Sequence, residues 1–366
     1  MPLLAPESPA PATSRTTDVF TPASIALRNA VDRPALIRQV RSAASVAGRQ
    51  ILLYGRSQSG KSTLLFRELA ASGTREVTVR CTPGCDLTLL LQSARVQAGL
   101  PPVDTAALVH RTAVDLGQLS TWLVIEDVHL LPPEQRVQAI AAAKVFSDLG
   151  ARFRDLKLVL VAAVDDLDLL DTTSPGSAEY MSRIQEVYVP AMTEEELAAV
   201  VETGARMLGV SAGPAPALIA QLSGGLPAVA HQLALDAFED AADRGVEVDL
   251  PAVRSAAAAG LRSMPTSYRR RFEAAGEYGQ DRELSQALDV LATFGADGAP
   301  MLDVIGATGA VSASHRERFR SEIESLATPQ RGELLELGPH TIVRFADLRT
   351  YSYYLMAAWL FQEGSG

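Results

Sequence analysis

Cysteine is nearly absent from this 366-residue chain: Cys81 and Cys85, in Cys-Thr-Pro-Gly-Cys, are the only two. A three-residue gap without a second ligand pair or nearby histidines is a poor zinc signature, so the pair reads as two ordinary thiols of a reducing, cytoplasmic compartment. Long apolar runs are missing too. Leu158 to Val164 and Tyr353 to Phe361 reach at most about half of the roughly 20 residues that span a bilayer, and no membrane association is expected. The first sixteen residues lack a basic segment followed by an unbroken apolar one. With Pro2, Pro6, Pro9 and Pro11 among Ala and Ser they read as a disordered arm, assigned to residues 1–19. An excess of positive charge is also lacking. At a net charge of −10 the chain is no whole-surface nucleic-acid binder, which leaves room only for a local basic stripe. What is present is apolar mass: hydrophobic residues make up 47%, enough for a sizeable core and two or three domains.

The sharpest local pattern lies near residue 55. Gln50 to Gly55 reads as a buried strand, Ile-Leu-Leu-Tyr, and runs into Gly55-Arg56-Ser57-Gln58-Ser59-Gly60-Lys61-Ser62. A helical pattern follows from Thr63 to Ala71, closed by Gly73. Strand, glycine loop and helix form the setting in which this spacing binds phosphate. The glycines let backbone N–H groups turn inward, and the helix behind adds about half a positive charge at its N-terminus. Lys61 supplies a mobile cation for the β and γ phosphates, and the Ser62 hydroxyl a ligand for magnesium. The implied ligands are ATP or ADP and Mg2+.

Such a loop needs an acid at the end of a neighbouring buried strand. Trp122-Leu-Val-Ile125 is a continuous apolar run of the kind found in a central parallel strand, and it stops at Glu126-Asp127, about 65 residues after the loop. Adjacent strand residues point to opposite faces, so one acid meets the metal while the other meets water. The plainer alternative is that these acids cap the helix starting near Pro132. His129 reads as structural rather than catalytic.

Further strands are legible at Glu76 to Arg80, Leu156 to Val164 and Ile184 to Val189, with helices such as Glu134 to Phe146 between them. Alternating β and α segments imply an α/β fold with a doubly covered parallel sheet, its ligands at the carboxyl ends of the strands. The P-loop, Glu126-Asp127 and Val164-Asp165 all fall there. Arg183, before the last strand, reads either as an arginine for a γ-phosphate of its own or a neighbouring subunit, or as a surface ion-pair partner. After Pro190 the strand signals end. Thr193 to Leu208, Ala215 to Leu222 and Pro227 to Arg244 read as amphipathic helices of a lid. Helices near Glu283 to Phe294, Met301 to Ala307 and Ser314 to Leu326, then strands Glu333 to Leu337 and Ile342 to Ala346, describe a winged helix. Its third helix carries His315, Arg316, Arg318 and Arg320, diluted by Glu317, Glu322 and Glu324. Residues 250–366 hold twelve arginines, no lysine and fourteen acids, a balance that favours packing or protein docking over DNA contact. Tyr268-Arg269-Arg270-Arg271 spreads its arginines around a helix axis and reads as a solvated face.

The assembled pattern resembles the AAA+ ATPases related to the origin-recognition replication initiators, and the prokaryotic STAND-like signalling ATPases that share their core and winged helix. The resemblance covers about Phe20 to Phe361. Val31-Asp32-Arg33-Pro34-Ala35-Leu36 is similar to the adenine-side motif of that family, with Asp32 and Pro34 in place of the usual glycine and glutamate and with Arg33 retained. Leu123-Val-Ile-Glu126-Asp127-Val-His129 is similar to a Glu-Asp-x-His variant of the Walker B strand. By position Glu126 takes the metal role, with Ser62 of the Walker A loop, and Asp127 the water-activating one, in the reverse of the commoner order Asp then Glu. Val164-Asp165 stands at the sensor position. Arg183 matches the place of an arginine finger or sensor, and Gly224-Gly225-Leu226-Pro227 looks like the Gly-x-Pro motif of STAND proteins, whose proline lies near the nucleotide. The implied nucleotide contacts are Gly55 to Thr63, Arg33 and Pro227.

The expected organisation is an arm at 1–19, a P-loop AAA+ core at 20–190, a helical lid at 191–275 and a winged-helix domain at 276–366. The leading expectation is a slow ATPase acting as a regulatory switch on a partner protein or on its own assembly. One rival is a DNA-binding initiator or transposition-helper ATPase that oligomerises on duplex through its winged helix. Another is a nucleotide-stabilised scaffold without turnover.

Overall fold

Side chains that alternate along the strand segments fall into two separate cores, and that alternation sets the architecture of residues 32–192, one of two units into which the chain divides. The computed structural model describes residues 15–23, 29–164, 177–276, 282–310, 312–338 and 341–364. A single helical turn, α1 (Thr16–Val19), belongs to the second unit. The first unit runs α2 (Pro34–Ser45), β1 (Gln50–Tyr54), α3 (Lys61–Ser72), β2 (Arg75–Arg80), α4 (Leu87–Gln97), α5 (Leu108–Gln118), β3 (Thr121–Glu126), α6 (Pro133–Leu149), β4 (Leu158–Ala162), α7 (Ser177–Met181) and β5 (Ile184–Tyr188).

All five strands are parallel, in the order β2-β3-β4-β1-β5. Ile51, Leu53, Val124, Val159, Val161 and Val187 pack with Leu36, Val40, Leu64, Leu65 and Leu69 of α2 and α3. Leu52, Leu123, Ile125, Leu158 and Leu160 pack on the opposite face with residues of α4, α5 and α6. Successive residues of one strand thus enter different cores, as the pleat requires. This is the expected α/β sheet, covered on both faces.

Polar groups brace the same layers. Arg95 of α4 is fully buried; it donates to Asp115 of α5 at 2.9 Å and to the Pro101 carbonyl at 2.8 Å. Lys157, before β4, donates to the carbonyls of Val46 at 2.5 Å and Arg49 at 3.0 Å, just past the end of α2. Burial lowers the Lys157 pKa to about 8.

The second unit joins residues 1–31 to 193–366. Its helices are α8 (Glu194–Leu208), α9 (Ala215–Leu222), α10 (Pro227–Arg244), α11 (Leu250–Arg262), α12 (Thr266–Ala275) and α13 (Arg282–Thr293), followed by β6 (Ala299–Pro300), α14 (Met301–Ala307), α15 (Ala313–Leu326), β7 (Leu335–Leu337), β8 (Ile342–Phe345) and α16 (Leu348–Gly364). Thr193 and Glu196 form a reciprocal capping box that starts α8, and Gly209 ends it in a left-handed conformation. β6, β8 and β7 make a small antiparallel sheet in that order. Phe319, Ile323, Val304, Leu291, Val343 and Phe345 share its core.

Two boundaries differ from the sequence reading. Residues 16–19, expected in a disordered arm, form α1, and the adjoining Phe20 is buried beside Phe238 of α10 at 5.1 Å. A side chain at Gly204 of α8 would strike the Phe20 ring at 2.3 Å, so the glycine makes that seat. The expected border between a lid ending at 275 and a separate C-terminal domain falls inside one unit. α16 packs on α9 and α11, and the buried Ser352 hydroxyl donates to the Leu222 carbonyl at 2.8 Å. Among the described residues, no helix is long and apolar enough to cross a membrane.

Candidate phosphate-binding site

The loop after β1 is shaped by three residues at positive φ. Gly55 has φ 146°, and a Cβ there would meet the Val189 carbonyl oxygen at 2.1 Å. That closeness follows from β5 running alongside: the Val189 N–H donates to the Tyr54 carbonyl at 2.7 Å. Gln58 at φ 65° and Gly60 at φ 91° complete the bend, and Gly60 leads into α3. Lys61, Ser62 and Thr63 therefore occupy the first turn of a helix whose N-terminus carries partial positive charge.

Ser57 and Gln58 are exposed at the loop crest, while Arg56 and Ser59 are buried. The Lys61 ammonium is itself buried and donates to the carbonyls of Gly55 at 2.9 Å and Arg56 at 2.7 Å. The Ser59 hydroxyl is buried without a protein partner. A buried ammonium that donates to two loop carbonyls, beside an unsatisfied hydroxyl and a helix N-terminus, suits an anionic ligand such as a phosphate chain.

β3 delivers the acids. Glu126 is 3% exposed, and its carboxylate is shared: the Ser62 hydroxyl donates to Oε1 at 2.5 Å, and Arg80 donates to Oε2 at 2.5 and 3.1 Å. The loop serine and the strand acid thus meet. Asp127 points elsewhere. Its backbone is left-handed at φ 59°, its side chain is 36% exposed, and it lies 3.7 Å from Arg80. The two acids present one buried and one open carboxylate, tied by a single guanidinium.

Arg80 is the residue that sequence reasoning missed. An arginine closing an edge strand reads as solvated; only the pairing of β2 with β3, which sets Arg80 beside Glu126, reveals the contact. His129 ties the end of β3 to the end of β4. Its Nδ1 accepts from the Ala163 N–H at 3.1 Å, past the end of β4, and burial holds its pKa below the usual histidine range against the pull of Asp127.

The other expected site residues belong to other segments. Arg33 is buried and donates to the carbonyls of Pro190 at 3.1 Å and Ala191 at 3.4 Å, so it shapes the chain leaving β5. Arg183 lies at the wrong end of the sheet to reach its own loop. Its carbonyl accepts from the Gln50 N–H where β1 begins, and the loop starts a strand length away, about 16 Å. Its exposed side chain approaches Asp148 at 3.9 Å. The reading in which Arg183 touches its own γ-phosphate is therefore corrected by topology. Pro227 opens α10 in the second unit, and Asp165 lies outside the described residues.

No protein-family profile and no curated protein matches the sequence. Solved structures do match in shape. Cdc6p from Pyrobaculum aerophilum is 14% identical, with 95% of this chain and 98% of that one covered at a TM-score of 0.54. A Walker-type ATPase of Pyrococcus abyssi is 15% identical over 89% and 95% at 0.49. The ORC2 protein of Aeropyrum pernix is 16% identical over 89% and 92% at 0.45. In shape the chain has the α/β P-loop NTPase fold, like Cdc6p.

Proposed function

We propose that the chain is a Mg-ATP-dependent ATPase that serves as a regulatory switch for a partner protein or for its own assembly. The observation that carries this reading is the 2.5 Å contact between the Ser62 hydroxyl and Glu126, which joins the phosphate loop to the strand acid. Lys61 exchanges its two carbonyl partners for phosphate oxygens, and the inward-facing amides of residues 55–63 hold the rest of the chain of phosphates. Ser62 and Glu126 would hold the magnesium ion, which when bound would draw charge from the phosphate oxygens. Asp127, open to solvent, accepts the proton of the attacking water at its carboxylate. Arg183, exposed at the far end of the sheet, is a candidate to reach the site of a neighbouring copy.

Asp127→Asn separates the roles. It preserves ATP binding and lowers turnover by about 10²–10⁴-fold, whereas Glu126→Gln raises the magnesium needed for binding. Phosphate release equal to that of a Lys61→Ala control would leave only a nucleotide-stabilised scaffold. The switch itself draws on differential affinity of two conformations for the γ-phosphate.

A second reading draws on α15, where Arg316 and Arg318 are exposed above the buried Phe319 and Ile323. Helix, strand, two helices and two antiparallel strands is the order of a winged helix, so α15 would serve as the duplex-facing helix. ATP-dependent duplex retention with a steep salt slope supports it, and a flat slope counts against it. Both free thiols fit a reducing, cytoplasmic compartment.

A further inference from the structure

The strand that carries Arg80 continues into a thiol pair. Cys81 extends the pairing of β2, its N–H donating to the Glu126 carbonyl at 2.9 Å. Thr82-Pro83-Gly84-Cys85 then reverses direction. The Cys85 N–H donates to the Thr82 carbonyl at 2.9 Å, with proline second and Gly84 third at φ 76°, the residue pattern of a type II turn. The turn brings Cys85 back to pack against the same core cluster that holds Cys81. Both are free: Cys81 is buried, and Cys85 is half-buried against the same core. Asp86, the next residue, caps α4 by accepting from the Thr88 and Leu89 N–H groups. The five-residue segment is thus fixed at both ends, by Glu126 on one side and by a helix start on the other.

We propose that Cys81 and Cys85 form a reversible disulfide that throttles the adjacent site, an effect on turnover that presupposes ATP hydrolysis there. The oxidant is a low-molecular-weight disulfide such as oxidised glutathione. Cys85, the more accessible, attacks as a thiolate; a mixed disulfide forms, the glutathione S–S bond breaks, and one glutathione leaves and takes up the proton. Cys81 then attacks the Cys85 sulfur, passing its own proton to the second departing glutathione. Two cysteine thiols are oxidised and one glutathione disulfide is reduced to two thiols. The new bond demands its own Cβ spacing and dihedral, which tightens the turn. Its strain arrives one residue from Arg80 and directly at the Cys81 N–H, the two groups that hold Glu126 from β2.

The test uses the full chain treated with excess oxidised glutathione. Peptide mass spectrometry is expected to show a Cys81–Cys85 crosslink, about 2 Da lighter than the dithiol, and ATP turnover to fall at least about threefold and recover with dithiothreitol. Cys85→Ser keeps the reduced turnover and loses the response. A persistent glutathione adduct on Cys85, thiols that stay free until the protein is unfolded, or a crosslink with unchanged turnover each overturns the idea. Reduced protein that never hydrolyses ATP overturns the ATPase reading instead. In that case the crosslinked peptide and a dithiothreitol-reversible shift of the urea midpoint still report the bond.

Discussion

The two units treat buried charge in opposite ways. Among the described residues, Arg33, Arg56, Lys61, Arg95, Asp115, Glu126 and Lys157 are buried, and all seven belong to residues 32–192. Among the described residues, the buried polar groups of the second unit are neutral ones such as Ser223, His231, Thr308, Thr350 and Ser352. Burying an ion costs several kcal/mol before its partners repay it, so each one needs a reason. In the first unit the reasons fall into two kinds. Arg95, Asp115 and Lys157 are matched within the protein and brace layers, whereas Lys61 and the shared Glu126 converge on the loop after β1. The contrast separates a scaffold that spends charge on a site from a scaffold built on packing.

Removing one half of the matched pair sharpens the comparison most. Asp115→Ala leaves Arg95 buried and uncompensated, and we expect about 3–5 kcal/mol of destabilisation by denaturant titration. A change under 1 kcal/mol would mean that the pair is not a brace. Next comes Lys61→Ala, which removes the stabilisation by Mg-ATP, about 2.7 kcal/mol at a ligand concentration 100 times Kd. An unchanged ligand-induced melting shift would sink the phosphate site.

A smaller effect belongs to the second unit and depends on pH. Burial depresses the His231 pKa from 6.5 to about 4, and its Nδ1 accepts from the Thr21 N–H at 3.2 Å. Between those two values the unfolded chain binds a proton that the native state refuses. Stability should therefore fall as pH drops from 6.5 toward 4, and His231→Gln should flatten that slope. Lys157 gives the first unit a different window. With its pKa lowered from 10.5 to about 8, stability should rise as pH climbs from 8 to 10.5. Smallest of all, Arg316→Ala and Arg318→Ala on the exposed face of α15 should move stability by less than about 0.5 kcal/mol. If they also leave the salt slope of duplex retention unchanged, the DNA reading fails.

The parts legible from sequence were those with a local signature. The glycine spacing marked the loop between β1 and α3, unbroken apolar runs gave β1, β3 and β4, and proline or glycine punctuation gave the limits of α9, α10 and α14 as they stand. Long-range contacts left no such mark. α16 is apolar on several sides because α9, α11 and the small sheet all pack on it, so no single-face periodicity announces it. The same contacts join α9 and α11 to the C-terminal elements. β6 is two residues long and exists only by pairing with β8. Arg80 and Arg183 are both arginines at strand ends, and only the sheet order tells which one stands beside the acids.

The left-handed backbone at residue 127 has a consequence for the order of the acids. At φ 59° an ordinary L-residue is strained by about 1–2 kcal/mol, and aspartate and asparagine are the non-glycine residues that visit this region most readily. A glutamate there would carry one more methylene and less of that tolerance. Glu-then-Asp is thus the arrangement this corner of the chain can fold around, and exchanging the two side chains would unsettle the turn before it altered any chemistry.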